Sequence, residues 1–516
     1  MNKISTKIII IIFCAITSIF ATAQIPGTPY IVPASNLIKP VVCTESNTQG
    51  TDFWVCFGSN YGGAAANTVY LALNIAAETA TVVTLSFTQT GNVVNYSIPA
   101  NSVIRIDLSN VAGGDRRSNV YMGTTSIPSS AQTLHITSDN PVSVYAFNTY
   151  SATTDATIVL PVSAWGKEYY RLSYTTIPLS MASGFYDVDM IIANQDGTIV
   201  TTPNGTVTLS AGRAWYFVRQ GNDMTGNHIT SNYPIAYFEH NTGVQIPLGR
   251  NYVDILFEQM MPVERWGTKF LVPNAPEGMN TMTNRIRIIA SENNTSVNFS
   301  GASVVTTDAQ TPAQLIPGQK TPFLGTLNAG EWIELQINNT TGTTPVSGDC
   351  YIEASNPIGV AAYMLGSNSD GSQYNGDPSI AWIPPLNQSI QSALISPFMF
   401  AQGSYTYTQF GLAQSTHYMI IIAPTETKEQ TTVYNGTTTY VLNGISALPA
   451  PNIPTSWVNN AASEYSYFKW TFTNPNDLNR SFKVSNPDGV IVLAGGTSMD
   501  ESYYYNAGSG TCIVNP

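Results

Sequence analysis

Paired carboxylates come nearest to a catalytic arrangement in this sequence. Asp187 and Asp189 alternate along one predicted strand and so point to the same face, while Glu239 and Glu258 lie further along the same stretch of chain. Two acidic groups about 5–10 Å apart could cleave a glycosidic bond. The same residues are typical of solvated acids in turns and at strand edges, and we favour that interpretation.

The histidines give little support for an enzyme or a metal site. Only four are present, namely His135, His228, His240 and His417. His135 and His228 occupy the same position of a repeated phrase, one residue before an isoleucine, which indicates a structural repeat. The sequence has no HExxH, His-x-His, GxSxG, P-loop or GxGxxG pattern. We therefore predict a protein that is not an enzyme and needs no cofactor.

One polar loop has the oxygen-rich composition of a calcium-binding loop. Residues 367–377 read SNSDGSQYNGD, and Asn368, Asp370, Asn375 and Asp377 supply oxygen atoms at short spacing. The loop departs from the EF-hand order and lacks its closing glutamate. A flexible, solvated hairpin tip explains the same composition, and the sequence favours the hairpin tip over calcium.

The cysteines favour disulfide bonds. Cys43, Cys56, Cys350 and Cys512 remain once Cys14 is assigned to a leader segment. An even number in an exported chain predicts disulfides, although four cysteines allow three pairings. Cys43 and Cys512 flank the repeated region, so we predict a clasp between its ends. Zinc is disfavoured because there is no CxxC pair and no histidine close to these cysteines in the sequence.

Tyrosine and tryptophan cluster in three places. These are YTY at residues 405–407, YSYFKW at 465–470 and YYY at 503–505. Exposed aromatic rings could stack on sugars or anchor a protein partner. Ordinary strand composition explains the clusters too, and we favour it. In the last cluster Tyr504 must point to the opposite strand face from its neighbours, so we expect at least one of these faces to be exposed.

The first 23 residues have the features of a cleaved secretory signal. Lys3 and Lys7 form a basic start, residues 8–15 are apolar, and ATA at residues 21–23 fits a small-residue cleavage site. The apolar run is too short to span a bilayer, and no later segment is apolar enough to do so. We expect an exported protein without a transmembrane segment that is secreted, held in the periplasm or displayed at the cell surface.

The bulk composition indicates many strands joined by tight turns. Charged residues make up 10% of the 516 residues, against about 25% in an average domain, and 28 tyrosines accompany 39 glycines and 31 prolines. The formal net charge is −12. An acidic, lysine-poor protein lacks the electrostatic surface that binds nucleic acid, so no nucleic-acid partner is expected.

A phrase with Ser-Asn or Ser-Asp and a proline returns four times. The copies are HITSDNPVSVYAF from residue 135, HITSNYPIAYFEH from 228, YIEASNPIGVAAY from 351 and FKVSNPDGVIVLA from 482. Asparagine and aspartate side chains initiate turns, and proline suits the start of a strand. Each copy therefore predicts a strand, a turn and a second strand.

Other phrases recur in a fixed order around this one. Units open with GTDFWVCF from residue 50, GKEYYRLSY from 166 and GTKFLVP from 267. An Ala-Gly turn recurs in TLSAGRAWYF from 208 and TLNAGEWIEL from 326. Units close with DATIVLPVSAWG from 155, DILFEQMMPVERWG from 254 and DPSIAWIPPLNQ from 377. After the signal (1–23) and a linker (24–49), the order predicts units at 50–165, 166–265 and 266–386 and a degenerate capping unit at 387–516.

The predicted fold class is all-β, with four tandem antiparallel units. Several short strands in each unit favour a β-sandwich-like repeat. A propeller-like arrangement of the repeats is the alternative, because both architectures use short antiparallel strands and periodicity does not separate them.

Taken together, the phrases resemble the amino-terminal domain of the IgG Fc-binding protein family. The resemblance rests on GTDFW at 50–54, TSDNPVSVY at 137–145, LPV at 160–162 with WGKEY at 165–169, ASENNT at 290–295 and GDPS at 376–379. It covers residues 50–390 and fades in the fourth unit. The family is named for an animal mucus protein that binds the Fc part of immunoglobulin G, and similar domains occur in bacterial surface proteins.

The resemblance implies a secreted, β-rich interaction module and assigns no catalytic residues. We expect a bacterial, non-enzymatic binding or adhesion protein whose partner is a protein or glycan at a cell or host surface, immunoglobulin-like or mucin-like in kind. The alternatives are a carbohydrate-active enzyme, which would need acids from different strands to converge in one cleft, and a purely structural envelope or matrix component.

Overall fold

The computed structural model describes the chain from residue 42 to residue 514 with gaps. The described ranges are 42–44, 46–151, 153–178, 181–182, 184–221, 223–249, 252–275, 284–305, 318–337, 348–366, 377–397, 416–443, 456–472, 480–497 and 501–514. The predicted signal at 1–23 and most of the predicted linker lie outside them. None of the helices in these ranges is long and apolar enough to cross a membrane.

Four antiparallel sheets follow one another along the chain, which confirms an all-β protein of four tandem repeats. The first sheet contains β1 (Gly50–Val55), β2 (Tyr70–Ala77), β3 (Thr81–Phe87), β4 (Asn92–Ile98), β5 (Ser102–Asp107), β7 (Leu134–Tyr150) and β8 (Thr153–Val159). The second contains β6 (Ile127–Ser130), β9 (Gly166–Tyr170), β10 (Tyr186–Ala193), β11 (Thr198–Thr202), β12 (Gly205–Leu209), β13 (Ala214–Gln220), β14 (His228–Val244) and β15 (Asp254–Gln259).

The third and fourth sheets repeat the same order. The third contains β16 (Gly267–Pro273), β17 (Arg285–Ala290), β18 (Thr295–Ser300), β19 (Ala302–Val304), β20 (Thr326–Leu327), β21 (Trp332–Ile337), β22 (Asp349–Met364) and β23 (Ser379–Trp382). The fourth contains β24 (Ile390–Ile395), β25 (Thr416–Pro424), β26 (Thr432–Tyr434), β27 (Thr439–Val441), β28 (Val458–Asn459), β29 (Tyr465–Phe472), β30 (Phe482–Thr497) and β31 (Ser502–Gly508).

Short 3-10 turns connect some of these strands. They are Arg117–Asn119, Val162–Ala164, Val263–Arg265, Leu386–Gln388 and Lys428–Gln430. Three of them follow the closing strands β8, β15 and β23, where the sequence repeats the phrase that ends each unit.

The Ser-Asn-Pro phrase lies inside one long strand and does not join two strands, so the predicted turn is wrong. Each of β7, β14, β22 and β30 runs through the phrase without interruption and pairs with four or more neighbours. The phrase marks a break in register: Gly166 pairs with Ile235, whereas Glu168 pairs with Thr230. Pro234 lies within this break, where its missing N–H removes no ladder bond. Equivalent breaks occur in the other three sheets.

The closing strands of the four sheets form a ring. β8 contacts β15, β15 contacts β23, β23 contacts β31, and β31 contacts β8. In the first sheet the order from this centre outwards is β8, β7, β2 and β5, and the other sheets follow the same plan. Four sheets that each contribute one closing strand to a central ring correspond to the propeller-like alternative.

Apolar residues pack between neighbouring sheets and supply most of the stabilisation. One cluster joins the first and second sheets and includes Val144 and Tyr216, and another joins the third and fourth and includes Val360 and Ile420. A third cluster draws residues from all four sheets. Burial of each such aliphatic side chain contributes about 1.5–3 kcal/mol, so the repeats depend on their neighbours for stability.

The repeated Ala-Gly turn packs one repeat on the preceding one. Gly212 and Gly330 both have φ of +76°, which favours glycine. A Cβ atom on Gly212 would lie 3.2 Å from the Trp54 ring, and one on Gly330 would lie 3.3 Å from the Tyr170 ring. In addition, β6 from the first unit pairs with β13 of the second sheet. The joint between the first and second repeats and the joint between the second and third therefore use the same position of the repeated turn.

Candidate functional site

A buried cluster of charges surrounds Arg171, which directly follows β9. Asp187 and Asp189 on β10 and Glu239 on β14 are at most 1% exposed. The Arg171 guanidinium donates hydrogen bonds to Asp187 and Asp189 and lies 3.4 Å from Glu239 Oε1. The acids alternate along β10 with Val188, which faces the core between the first two sheets. The strand thus buries both faces, one apolar and one charged.

The Ser173 hydroxyl lies at the centre of this cluster. Its oxygen is 3.0 Å from Asp187 Oδ1, 2.9 Å from Glu239 Oε1 and 3.1 Å from Asn241 Oδ1. Arg171 Nη2 approaches the same oxygen at 3.1 Å. Four polar groups therefore converge on one hydroxyl in the protein interior.

Burial changes the acidity of two of these carboxyl groups. It raises the pKa of Asp187 to about 7 and the pKa of Glu239 to about 8, although Arg171 opposes both shifts. Like-charge repulsion adds to burial: Asp223 and Asp189 raise the pKa of Asp187, and Asp187 and Asp189 raise the pKa of Glu239. The two groups therefore hold protons at pH values where an exposed carboxyl is ionised.

A second charged cluster extends from the first into the third sheet. Arg287 on β17 donates to the carbonyl oxygen of Ser173 at 2.7 Å, to Asp223 Oδ2 at 2.7 Å and to Glu334 Oε2 at 2.9 Å. Its guanidinium also lies 4.1 Å from the ring centre of Tyr174. Burial opposes ionisation of Asp223, but Arg287 outweighs it and keeps the pKa of Asp223 below its usual value. Arg287 thus ties the second sheet to the third.

Carboxylates also fill the ring where the closing strands meet. Asp254 Oδ1 accepts a hydrogen bond from the Thr154 amide at 2.6 Å, Asp155 Oδ2 accepts one from the Phe257 amide at 3.0 Å, and Glu258 Oε1 accepts one from the Trp382 amide at 2.8 Å. These amides lie on strand edges without a ladder partner, and buried amides require an acceptor.

Burial raises the pKa of each of these three ring carboxyls well above its usual value. For Asp254, the carboxyl of Asp377 adds to the effect of burial. The ring carboxyls therefore act as internal acceptors for strand edges, and burial favours their protonated forms.

The acids that could have formed a glycosidase pair do come together, but in the interior. Asp187, Asp189, Glu239 and Glu258 are all buried, so the prediction of solvated strand-edge acids is wrong. Three of them neutralise Arg171, and Glu258 binds the Trp382 amide. In this arrangement the acids hold strands and sheets together and do not face solvent.

Two histidines occupy the same structural position, as the repeat predicted. His135 Nε2 lies 2.8 Å from Asp52 Oδ1 and the ring stacks on Trp54 at 4.0 Å. His228 Nε2 lies 2.8 Å from Glu168 Oε1 and the ring stacks on Tyr170 at 4.4 Å. The acid and the aromatic ring belong to the opening strand of each repeat.

The other two histidines are buried and neutral. His240 Nε2 lies 2.8 Å from the Ser59 carbonyl oxygen, and His417 Nδ1 lies 2.9 Å from the Tyr503 hydroxyl. Burial lowers the pKa of His240 to about 4 and that of His417 to about 3. Both histidines therefore stay uncharged above pH 5.

The calcium prediction falls mostly outside the described part of the chain. Asn368, Asp370 and Asn375 lie outside it, and only Asp377 can be placed. Asp377 is 1% exposed, and its amide donates to the Ser502 hydroxyl at 2.7 Å. Within the described ranges, no group of three His, Cys, Asp or Glu side chains could hold a metal ion. The loop itself stays a prediction.

The cysteines divide into one bonded pair and two free thiols. Cys43 and Cys512 form a disulfide across a sequence separation of 469, as the predicted clasp between the ends requires. Cys56 and Cys350 are free and buried, so they are not disulfide partners. They belong to different sheets, with Cys56 beside β1 and Cys350 on β22. Burial raises the pKa of the Cys350 thiol to about 12, which makes it a poor nucleophile.

The tyrosine triplet is part of the core. Tyr503, Tyr504 and Tyr505 are fully buried, so the expectation of an exposed face is wrong. β31 is an inner strand of the ring and has a neighbouring sheet on each side, which covers both of its faces. Strand β29 carries the second cluster, whereas residues 405–407 lie outside the described ranges.

Comparison with known proteins decides the family. The model of the IgGFc binding protein family matches residues 155–496, which is more than half of the chain. The chain belongs to the IgGFc-binding protein family. The human IgGFc-binding protein is 25% identical over 265 residues, which is 49% of this chain and 4% of that protein's length. No solved structure matches the chain.

The IgGFc-binding family match begins within β8 and ends within β30, so it covers strands β9–β29, whereas β1–β7, with β6 of the second sheet among them, precede it. The resemblance from sequence phrases was expected to fade in the fourth unit. The fourth sheet nevertheless keeps the long strand and its register break, which are the most regular features of the repeat.

The arginines that organise the site are not among the residues predicted from the sequence. Arg171 follows the aromatic strand YY at 169–170, and Arg285 and Arg287 alternate with isoleucine in β17. An arginine inside an otherwise apolar strand requires buried acids nearby, because an unpaired buried charge is very costly. That signal was present in the sequence and would have pointed to Asp187, Asp223 and Glu334.

Proposed function

We propose that this chain is a non-enzymatic binding protein that presents the outer surfaces of its β repeats to a protein or glycan partner. The partner is immunoglobulin-like or mucin-like in kind and is carried on a cell or host surface. The observation that carries the proposal is the family match over residues 155–496. The name of the human relative refers to binding of the Fc part of IgG, and that relative supports a protein partner.

The site geometry supports binding over catalysis. Catalytic acids must reach a substrate, whereas the converging acids here are at most 1% exposed and bind Arg171 or backbone amides. The neutral, buried His240 and His417 are equally occupied by internal contacts. A carbohydrate-active enzyme is therefore the second candidate only.

An exported location fits this function. The basic and apolar start of the sequence supports secretion, and the disulfide between Cys43 and Cys512 supports an oxidising environment. We infer that the mature protein is secreted or displayed at a cell surface, with the periplasm as the remaining compartment of the same export route.

The test is a binding measurement with the mature chain, residues 24–516. Immobilised protein is exposed to the Fc part of IgG, to mucin and to a glycan array, and the glycans are then analysed for cleavage. We expect saturable binding to at least one probe and no cleavage. The control is chain unfolded by reduction and heat, which should bind none of them.

Two outcomes would contradict the proposal. Absence of binding to all three probes would favour a structural envelope or matrix component. Glycan cleavage that disappears in Glu239→Gln and Asp187→Asn would favour the enzyme, because these are the acids closest to a catalytic pair. Cleavage unaffected by either substitution would place the activity elsewhere in the chain.

A further inference from the structure

The protein interior contains more acids than bases. Nine aspartates and glutamates are buried in the described ranges, namely Asp155, Asp187, Asp189, Glu239, Asp254, Glu258, Glu334, Asp377 and Glu501. Four arginines are buried there as well, Arg171, Arg265, Arg285 and Arg287. Uncompensated buried charge is strongly unfavourable. Protonation of some of these carboxyl groups would reduce the surplus of negative charge.

The contacts of Ser173 identify one place where a proton is needed. Its hydroxyl has a single hydrogen but lies within 3.1 Å of three acceptor oxygens, on Asp187, Glu239 and Asn241. The Asn241 amide nitrogen donates elsewhere, to Asp187 at 3.1 Å and to the Tyr174 carbonyl at 3.2 Å. Its oxygen must therefore face Ser173 as an acceptor.

Protonation of one carboxyl group reduces this conflict, because one of the three oxygens rather than two is then left without a bridging hydrogen. A hydroxyl can donate one hydrogen bond and accept two. Ser173 already accepts from Arg171 Nη2 at 3.1 Å, which leaves one acceptor position for the O–H of a protonated Glu239 or Asp187. With both carboxyls ionised, at least two of the three oxygens would face the hydroxyl oxygen without a hydrogen between them.

The same residue connects two repeats through its backbone. The Ser173 carbonyl oxygen accepts hydrogen bonds from Arg287 Nη1 at 2.7 Å and from the Tyr363 hydroxyl at 2.9 Å. Arg287 and Tyr363 belong to the third sheet, on β17 and β22. Any displacement of Ser173 therefore disturbs the contact between the second and third sheets.

We propose that one proton, shared by Asp187 and Glu239 through the Ser173 hydroxyl, locks the joint between the second and third sheets, and that loss of this proton above neutral pH loosens the joint. The charged and titratable groups that face the proton come from every packed element: Arg171 after β9, Asp189 on β10, Asp223 before β14, Tyr237 and His240 on β14, Glu258 on β15, and Arg287, Glu334 and Tyr363 from the third sheet.

The direction of the pH effect follows from the acidities. The folded pKa values of Asp187 and Glu239, about 7 and about 8, exceed their usual values of 3.8 and 4.5. The folded state then binds more protons than the unfolded state, so the stability from these groups is complete below their usual pKa values and is lost as pH rises through 7 and 8. The lowered pKa values of His240 and His417 act only below pH 6.5. The window above pH 6.5 therefore reports buried carboxyl groups, and comparison with Glu239→Gln separates this pair from the ring carboxyls Asp155, Asp254 and Glu258.

The experiment compares the full mature chain with two variants between pH 6.5 and 9. Glu239→Gln keeps the size of the side chain and cannot ionise, whereas Glu353→Gln changes an acid that is half-exposed and paired with Lys269 on the surface. We expect the unfolding temperature of the wild type and of Glu353→Gln to fall across this range and that of Glu239→Gln to fall less. An equal fall in all three proteins would overturn the proposal.

Hydrogen exchange locates the effect in the chain. Amides of residues 171–177 and 285–290 should exchange about tenfold faster, beyond the intrinsic effect of pH, for each pH unit up to the folded pKa values, and the acceleration should level off above them. Glu239→Gln should remove most of this acceleration. Acceleration that is uniform over all four sheets, or absent from these two segments, would contradict a lock at this joint.

A measurement on the wild type alone keeps the test valid should Glu239→Gln not fold. Unfolding in a weakly buffered solution at pH 7 should release protons from Asp187 and Glu239, in addition to any from the ring carboxyls, because carboxyl groups return to their usual pKa values. Absence of release, or uptake of protons, would overturn the proposal. A chelator should leave the unfolding temperature at pH 6.5 unchanged; a fall on chelation would assign the neutralising charge to a bound cation.

Discussion

Arg171 is a single guanidinium that compensates three buried carboxyl groups. Asp187, Asp189 and Glu239 all direct oxygens towards it, and none of these side chains is more than 2% exposed. Removing one member of a buried ionic group leaves the others without a partner, which costs more than the intact group contributes. The stability of the second repeat should therefore depend strongly on this one residue.

The substitution Arg171→Met tests this dependence. We expect the free energy of unfolding to fall by about 3–5 kcal/mol, the cost typical of breaking a buried ion pair. Urea denaturation followed by tryptophan fluorescence measures it. The control is Lys269→Met, which removes an exposed partner of Glu353 and should cost about 0–1 kcal/mol. Equal effects of the two substitutions would show that the Arg171 cluster contributes no more than a surface pair.

Sequence reasoning identified these acids but not their environment. The alternation Asp187-Val188-Asp189 correctly places both carboxyls on one strand face. The assumption that this face meets solvent was wrong, because residues 171–177 cross it and bring Arg171 and Ser173 onto the acids. That segment has no regular secondary structure, so no periodicity in the sequence predicts its position.

At the scale of elements, the long strand organises each repeat. In β14 the half before Pro234 pairs with β9 and β11, and the half after it pairs with β10 and β15. Proline is tolerated only in the break between these halves. A proline in the second half would face ladder partners on both sides and would leave a buried carbonyl group without its donor.

Ala236→Pro tests this difference between the halves. Ala236 is fully buried and pairs with Ile192, so we expect a loss of about 1–3 kcal/mol for the unsatisfied carbonyl, with steric strain added to it. The matched control is Pro234→Ala, which should change the free energy of unfolding by about 1 kcal/mol or less. Thermal unfolding of both variants measures this. A similar loss of unfolding free energy in both variants would contradict the prediction, because position 234 would then tolerate substitution no better than a paired position.

The sequence predicts strands well and their continuity poorly. Phrase order correctly indicates four repeated sheets, because aromatic and branched residues alternate in every copy. The phrase at 138–141 contains residues that are typical of a turn, but it lies at a register break. Turns and register breaks favour the same residues, because in both some backbone groups make no ladder hydrogen bond. Pairing of β6 with β13 also escapes local patterns, because it joins residues about 90 positions apart.

At the scale of the molecule, the ring is completed where the two chain ends meet. The Cys43 amide donates to the Ser389 carbonyl at 2.8 Å, and the Gly510 amide donates to the Gln388 carbonyl at 2.6 Å. Arg265 reaches from the second repeat to the Ala164 carbonyl at 2.8 Å and to the Thr511 carbonyl. The positions of the two cysteines in the sequence predict the disulfide. The ring is not predictable in this way, because it depends on contacts between closing strands that are far apart in the sequence.

The disulfide between Cys43 and Cys512 should stabilise the ring mainly by restricting the unfolded chain. The two cysteines have a sequence separation of 469, and the disulfide closes this stretch into a loop. A closed loop has less conformational entropy in the unfolded state. We expect Cys43→Ser/Cys512→Ser to lower the free energy of unfolding by about 2–4 kcal/mol while the strand content in circular dichroism stays unchanged. Reductant should destabilise the wild type to the same extent and leave the double variant unaffected. If both proteins unfold at the same temperature without reductant, the hydrogen bonds at the ring closure are sufficient, and the clasp contributes nothing to stability.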